Sequence, residues 1–162
     1  MMDLFTWLEG SAFSTWVREA PTIWAFATIL TLHTFGMGVL VGASVLLDLR
    51  LLGIGRTMPL GPLESLYRIM WAGFWLNLVT GSALFAADAT SRGTQWLFFV
   101  KLLFVATGVT TMILIRRQVY GTPSFRATEP VAVSGSTRSL AVVSLVAWAA
   151  AITAGRLLAY VN

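Results

Sequence analysis

The run LTLHTFGMGVLVGASVLLDLRLLG, residues 30–53, carries a single ionisable side chain, His33, before its first acid at Asp48. With the apolar residues ahead of it, the stretch is long enough to cross about 30 Å of hydrocarbon as a helix, and it reads as a membrane span that begins near residue 22. An ionisable group inside such a span is costly to bury and is a functional candidate by default. His33 is the only histidine in a chain that has no cysteine. It can ligate a metal or haem, relay a proton or hydrogen-bond a quinone.

The rest of the chain has the same character. Of 162 residues, 57% are hydrophobic and 11% charged, with a mean hydropathy of +0.78. A soluble domain carries about 25% charged residues, so the composition specifies an integral membrane protein. Four apolar stretches are long enough to span, at about 22–47, 66–87, 96–115 and 139–161. The expected fold is all-α: one membrane domain over 1–162, an up-down-up-down four-helix bundle. The short loop at 88–95 predicts that spans two and three are antiparallel neighbours, and the polar segment 118–138 is expected to be the most mobile. Residues 3–19 alternate Leu4, Leu8, Ala12 and Trp16 with Asp3, Glu9, Ser14 and Arg18, which predicts an amphipathic helix lying in the membrane interface and ending at Pro21. Asp3 and Glu9 stand where a signal peptide carries its basic region.

The sequence pI is about 10.4, but the basic residues form no nucleic-acid patch. Arg50, Arg56, Arg68, Arg116, Arg117, Arg126 and Arg138 fall in or beside the loops after spans one and three, whereas Arg18, Arg92 and Arg156 lie toward the other side. The positive-inside rule then predicts a multi-pass protein of the bacterial inner membrane with both termini on the periplasmic side. Without cysteine there is no disulfide framework or thiolate site.

Helical spacing of about 100° per residue sorts span one into two faces. Gly38 and Gly42 form a GxxxG pair, expected to be the close-packing face. His33 lies almost opposite, with Gly36, Met37, Leu40 and Ser44; Gly36 is expected to leave room for a flat macrocycle. On span two, Met70, Gly73, Asn77, Gly81, Leu84 and Asp88 share a face, and at about 1.5 Å per residue Asn77 comes level with His33. Lys101 and Arg156 enter from the same side. They are expected to snorkel, to pair with Asp88, or to bind an acidic group such as a haem propionate. Met37, Met70 and Met112 offer three thioethers for Cu(I), or simply core filling. The opposite half of the bundle is expected to hold no comparable inward group, with Asp48 and Arg50 forming an ion pair there.

Residues 30–53, TGSALFAADA at 80–89, Lys101 and GRLLAY at 155–160 together resemble the signature of an uncharacterised four-span bacterial integral-membrane family. The resemblance covers nearly the whole chain and implies a four-span fold whose pattern includes His33, Asp48, Arg50, Asp88, Lys101 and Arg156. It implies no reaction. Helix count and an intramembrane histidine are loosely similar to copper-resistance-type and cytochrome b561-type bundles, a fold-level analogy.

The reading favoured by these residues is a small redox protein or electron-transfer subunit that binds b-type haem, with His33 as iron ligand and Gly36, Asn77, Asp88, Lys101 and Arg156 around the cofactor. Quinone or lipid are alternative ligands. One histidine supplies one axial bond, so the haem is five-coordinate or shared between two copies. The alternatives are a non-catalytic anchor subunit of a larger membrane complex, with His33 and Asn77 as interhelical glue, and a proton or metal-ion transport component. No paired carboxylates, nucleophile–base pair or phosphate loop point to a stand-alone enzyme. The expected partners are the lipid bilayer and a second copy or a larger membrane complex, with no nucleic acid.

Overall fold

The structure is a computed structural model that describes residues 2–19, 24–55, 57–121 and 133–160. The described residues form helices and no strand. Two short helices, α1 (Met2–Glu9) and α2 (Ala12–Glu19), precede α3 (Trp24–Leu52), α4 (Leu66–Ala87), α5 (Ala89–Thr94), α6 (Trp96–Tyr120) and α7 (Gly135–Leu157). Four of these, α3, α4, α6 and α7, are long and apolar enough to cross a membrane, as expected of a multi-pass four-helix bundle.

Local chemistry sets the helix ends. α3 runs five residues past the expected boundary and stops at Gly53, whose φ of 105° is open to glycine alone without strain. Gly53 N donates to Arg50 O (3.1 Å) and Ile54 N to Leu49 O (2.9 Å), the paired bonds of a Schellman cap. A 3₁₀ turn over Gly61–Ser65, with Pro62 at its start, leads into α4. α7 begins where Ser134 Oγ accepts from Thr137 N (3.2 Å). Pro21 and most of the 118–138 loop lie outside the described residues, and with them the expected helix start and mobility.

The interfacial segment is two helices rather than one. Gly10 and Ser11 form a turn, and Ser11 Oγ then caps α2 by accepting from Ser14 N (3.2 Å). Against the protein it buries Ser14 and Val17, whereas Leu4, Trp7, Phe13 and Trp16 are exposed. The apolar stripe is left for the bilayer, and the polar groups are consumed at the end of α4. Ser14 Oγ shares its proton between Leu8 O (2.8 Å) and Ala86 O (3.0 Å), Arg18 Nη1 donates to Ala87 O (3.1 Å), and Glu9 Oε1 accepts from Thr90 N (2.7 Å). The bonds to Ala86 and Ala87 satisfy carbonyls that the C-terminus of α4 otherwise leaves orphaned, and the bond from Thr90 satisfies an N–H in the first turn of α5. Exposed Trp7, Trp16, Trp24, Trp96 and Tyr160 gather at this same end, where amphipathic rings favour a membrane interface.

The spans pair as two antiparallel hairpins, α3 with α4 and α6 with α7, joined through α3 and α7. Spans two and three are the expected antiparallel neighbours, but α5 fills the connection, and α4 and α6 meet through side chains, Phe85 with Phe98 and Tyr67 with Tyr120, while their backbones stay apart. Packing is densest in the half away from the termini, around Leu40, Leu47, Tyr67, Met70, Met112 and Trp148. Met37 lies outside that core cluster, so the three methionines do not converge as a copper site requires.

The closest approach of α3 to α4 is at Gly36 and Gly73. A Cβ on Gly73 would stand 2.9 Å from both Gly36 O and Leu40 N, and one on Gly36 would stand 3.2 Å from Gly73 O and Asn77 N. Gly38 and Gly42, the expected packing pair, have nothing within 4 Å of a Cβ. A spacing of small residues says that a helix can be approached; it does not say on which face.

Two outcomes are expected. Gly73→Ala must push apart two backbones and should lower stability by about 2 kcal/mol, whereas Gly38→Ala and Gly42→Ala should be neutral in thermal unfolding of the detergent-solubilised protein. The Thr90 backbone N–H holds the Glu9 carboxyl below its ordinary value of 4.5. A lowered folded-state value gives stability that is present at neutral pH and lost as pH falls through it. At pH 4 and below, wild-type α1 and α2 should therefore approach the faster amide exchange of Glu9→Gln measured at the same pH.

Candidate functional site

One turn from the glycine contact toward the end that carries α1 and α2, the polar groups of α3 and α4 meet. Asn77 Nδ2 donates to the backbone carbonyl of His33 at 2.8 Å, which bears out the expected common level of the two residues. The contact is to the main chain, and the imidazole has a different partner. His33 Nδ1 lies 3.1 Å from Thr80 Oγ1. Its Cε1 rests on Gly81, where a Cβ would come within 3.0 Å. Thr80 and Gly81 thus form the cradle of the ring, and neither was singled out by sequence for this role.

The threonine favours one tautomer of the histidine. A hydroxyl has one proton to give, and Thr80 donates its proton to Leu76 O at 2.6 Å. Toward His33 it can only accept, so Nδ1 carries the hydrogen and the neutral ring keeps its lone pair on Nε2. Among the described residues, Nε2 has no hydrogen-bond partner. The ring is half-buried, oriented by α4, and presents a free basic nitrogen.

The remaining expected site residues are dispersed. Gly36 is buried, and α4 backbone fills the space expected to admit a macrocycle. A planar group held at Nε2 has to lie outside the α3–α4 seam. Lys101 is half-buried; its stem runs along α7 at Gly155, with Cε 3.6 Å from where a Cβ would sit, and it lies within electrostatic range of His33 and Arg92. Arg156 is exposed. Asp88 pairs with Arg92 at 3.0 Å, not with Lys101 or Arg156. Arg92 also donates to Leu158 O at 2.7 Å and so ties α5 to the end of α7. Above the site, Phe85 stacks on Phe98 (centroids 5.1 Å apart) and bridges α4 and α6, with Phe5 edge-on to Phe85. His33, Asn77 and Gly36 share one seam, and Lys101 approaches from the other hairpin.

The opposite half of the bundle does hold an inward ionisable group, contrary to expectation. Asp48 is buried at 1% exposure with Ser44 and Ser144, while Arg50, two residues on, donates to Met58 O at 2.6 Å. The expected Asp48–Arg50 ion pair gives way to a serine network because the two side chains leave the helix on different sides. Among the described residues, no group of three His, Cys, Asp or Glu side chains converges as a metal centre.

Thr80→Val should release the tautomer. In ¹⁵N NMR of histidine-labelled protein, the wild type should show a protonated Nδ1 and an unprotonated Nε2, and the variant a mixture of both forms. An Nε2–H tautomer in the wild type would contradict the geometry.

No protein-family model matches the chain, and neither a curated protein nor a solved structure is similar to it.

Proposed function

We propose that the chain is a small membrane redox subunit that holds b-type haem through His33 Nε2. The observation that carries the reading is the Thr80 contact. Metal-ligating histidines almost always donate their other ring N–H to a fixed acceptor, which sets the tautomer and the ring orientation. A histidine serving only to glue helices needs no free second nitrogen. Bound there, haem supplies one-electron transfer. The chain's own residues orient the imidazole (Thr80, Gly81), present cations for the propionates (Lys101, with Arg156 beyond it) and cover the site from above (Phe85, Phe98). With one histidine per chain, His33 would supply a single bond to the iron, and a second would have to come from another copy of the chain. The arginine asymmetry supports placing the site in the periplasmic half of a bacterial inner membrane.

A second reading has its own support. Asn77 to the His33 carbonyl, His33 to Thr80, and Gly36 against Gly73 all join α3 to α4, which is what a purely structural anchor subunit needs. The visible spectrum separates the two. Protein purified in detergent from haem-replete cells should show a Soret band that His33→Ala abolishes. A colourless wild type, with His33→Ala only less stable, would sink the haem reading and leave the anchor.

A further inference from the structure

Asp48 lies on α3 about one turn from the end opposite the termini, and it is 1% exposed. Its neighbours are hydroxyls: Ser44 Oγ is 3.4 Å from Oδ2, and Ser144 of α7 lies close enough to act on the carboxyl. Ser44 Oγ and Ser144 Oγ are themselves 3.4 Å apart. Among the described residues, no Lys or Arg lies within ion-pair distance of this carboxyl. Buried charges in proteins are paired or coordinate a cation.

A second, independent observation comes from α4. The antiparallel register set by the Asn77–His33 and Gly73–Gly36 contacts brings Tyr67 level with Ser44. Tyr67 is 2% exposed and its hydroxyl has no hydrogen-bond partner among the described residues. The ring is held in place by α6: Arg116 lies over one face at 5.5 Å and Tyr120 meets it edge-on at 5.7 Å. Asp48 and the tyrosine are within electrostatic range of each other. A buried hydroxyl left without a partner is costly and calls for an explanation.

The oxygen spacing supplies one. O–H···O bonds have a mode near 2.7–2.8 Å, and both contacts here are long. Two oxygens at right angles around an ion with ligand distances of about 2.4 Å, the range of Ca²⁺ and of the similarly sized Na⁺, stand about 3.4 Å apart. The oxygen-only donors suit a hard cation, and one carboxylate balances one positive charge. Trp148, pressed against Gly108 where a Cβ would meet the indole at 2.7 Å, donates Nε1–H to Ser44 Oγ (3.1 Å) and so holds that oxygen in place.

We propose that Asp48, Ser44, Ser144 and Tyr67 form a binding site for a monovalent, sodium-sized cation in the half of the bundle away from the termini. The site draws on three of the four spans and does not depend on what His33 holds.

The test is thermal unfolding of the full chain in detergent, in NaCl, KCl and choline chloride at equal ionic strength. Sodium should raise the Tm saturably by about 3–5 °C over choline, with potassium well below it. Asp48→Asn should abolish the sodium increment. Tyr67→Phe should match or exceed the wild-type Tm in choline, because it removes an unpartnered hydroxyl, but should require several-fold more sodium for the same shift. The variant guards against an Asp48→Asn that does not fold. Equal Tm values in the three salts, a sodium increment retained in Asp48→Asn, or an unchanged sodium requirement in Tyr67→Phe would each overturn the site.

Discussion

The backbone contact between Gly36 and Gly73 is the constraint on which the rest of the molecule depends. Helices separated by ordinary side chains pack 8–10 Å apart, and at that range an asparagine on one cannot be counted on to reach the main chain of the other. Here two missing side chains bring α3 and α4 close and fix their register. Asn77 then meets the His33 carbonyl, Thr80 meets the ring, and, counted the other way, Tyr67 comes level with Ser44. Both polar regions of the bundle follow from one crossing point. In a bilayer this matters more than in water, because lipid tails are as apolar as the helices and close packing has to supply much of the attraction.

The two polar regions differ in kind. At His33 the protein completes the needs of one ring nitrogen and leaves the other free. Around Asp48 it gathers oxygen atoms and one indole N–H, and among the described residues no Lys or Arg forms an ion pair with the carboxyl. The first arrangement presents a lone pair, and the second presents a negative charge. They lie in opposite halves of the membrane-spanning bundle and share α3, whose inward stripe runs from His33 through Gly36, Leu40 and Ser44 to Asp48.

That stripe was readable in the sequence. Residues at three- and four-residue steps share a helix face, which correctly grouped His33 with Gly36, Leu40 and Ser44 and set Asn77 at the same depth. What the spacing lacked was the identity of the neighbour. Gly38 and Gly42 carry the better-known small-residue pattern, yet they face away from the bundle. Gly36, which looked like room for a ligand, is where α4 passes. Asp48 continues the inward stripe one turn past Ser44, but the arginine two residues later suggested an ion pair at the surface. Thr80 could not be assigned until the crossing point was known, because it sits one position off the Asn77–Gly81 row.

The attachment of α2 to the end of α4 has a consequence for assembly. Ser14 and Ala86 are 72 residues apart in the chain, with the whole α3–α4 hairpin between them. The last carbonyls of α4 therefore gain their partners only after that hairpin is threaded and its far end has returned to the starting side. The amphipathic segment acts as a latch that closes on a finished hairpin and finds nothing to hold on an unfinished one. Seating of α2 on the surface thereby follows, and depends on, the insertion of the first two spans.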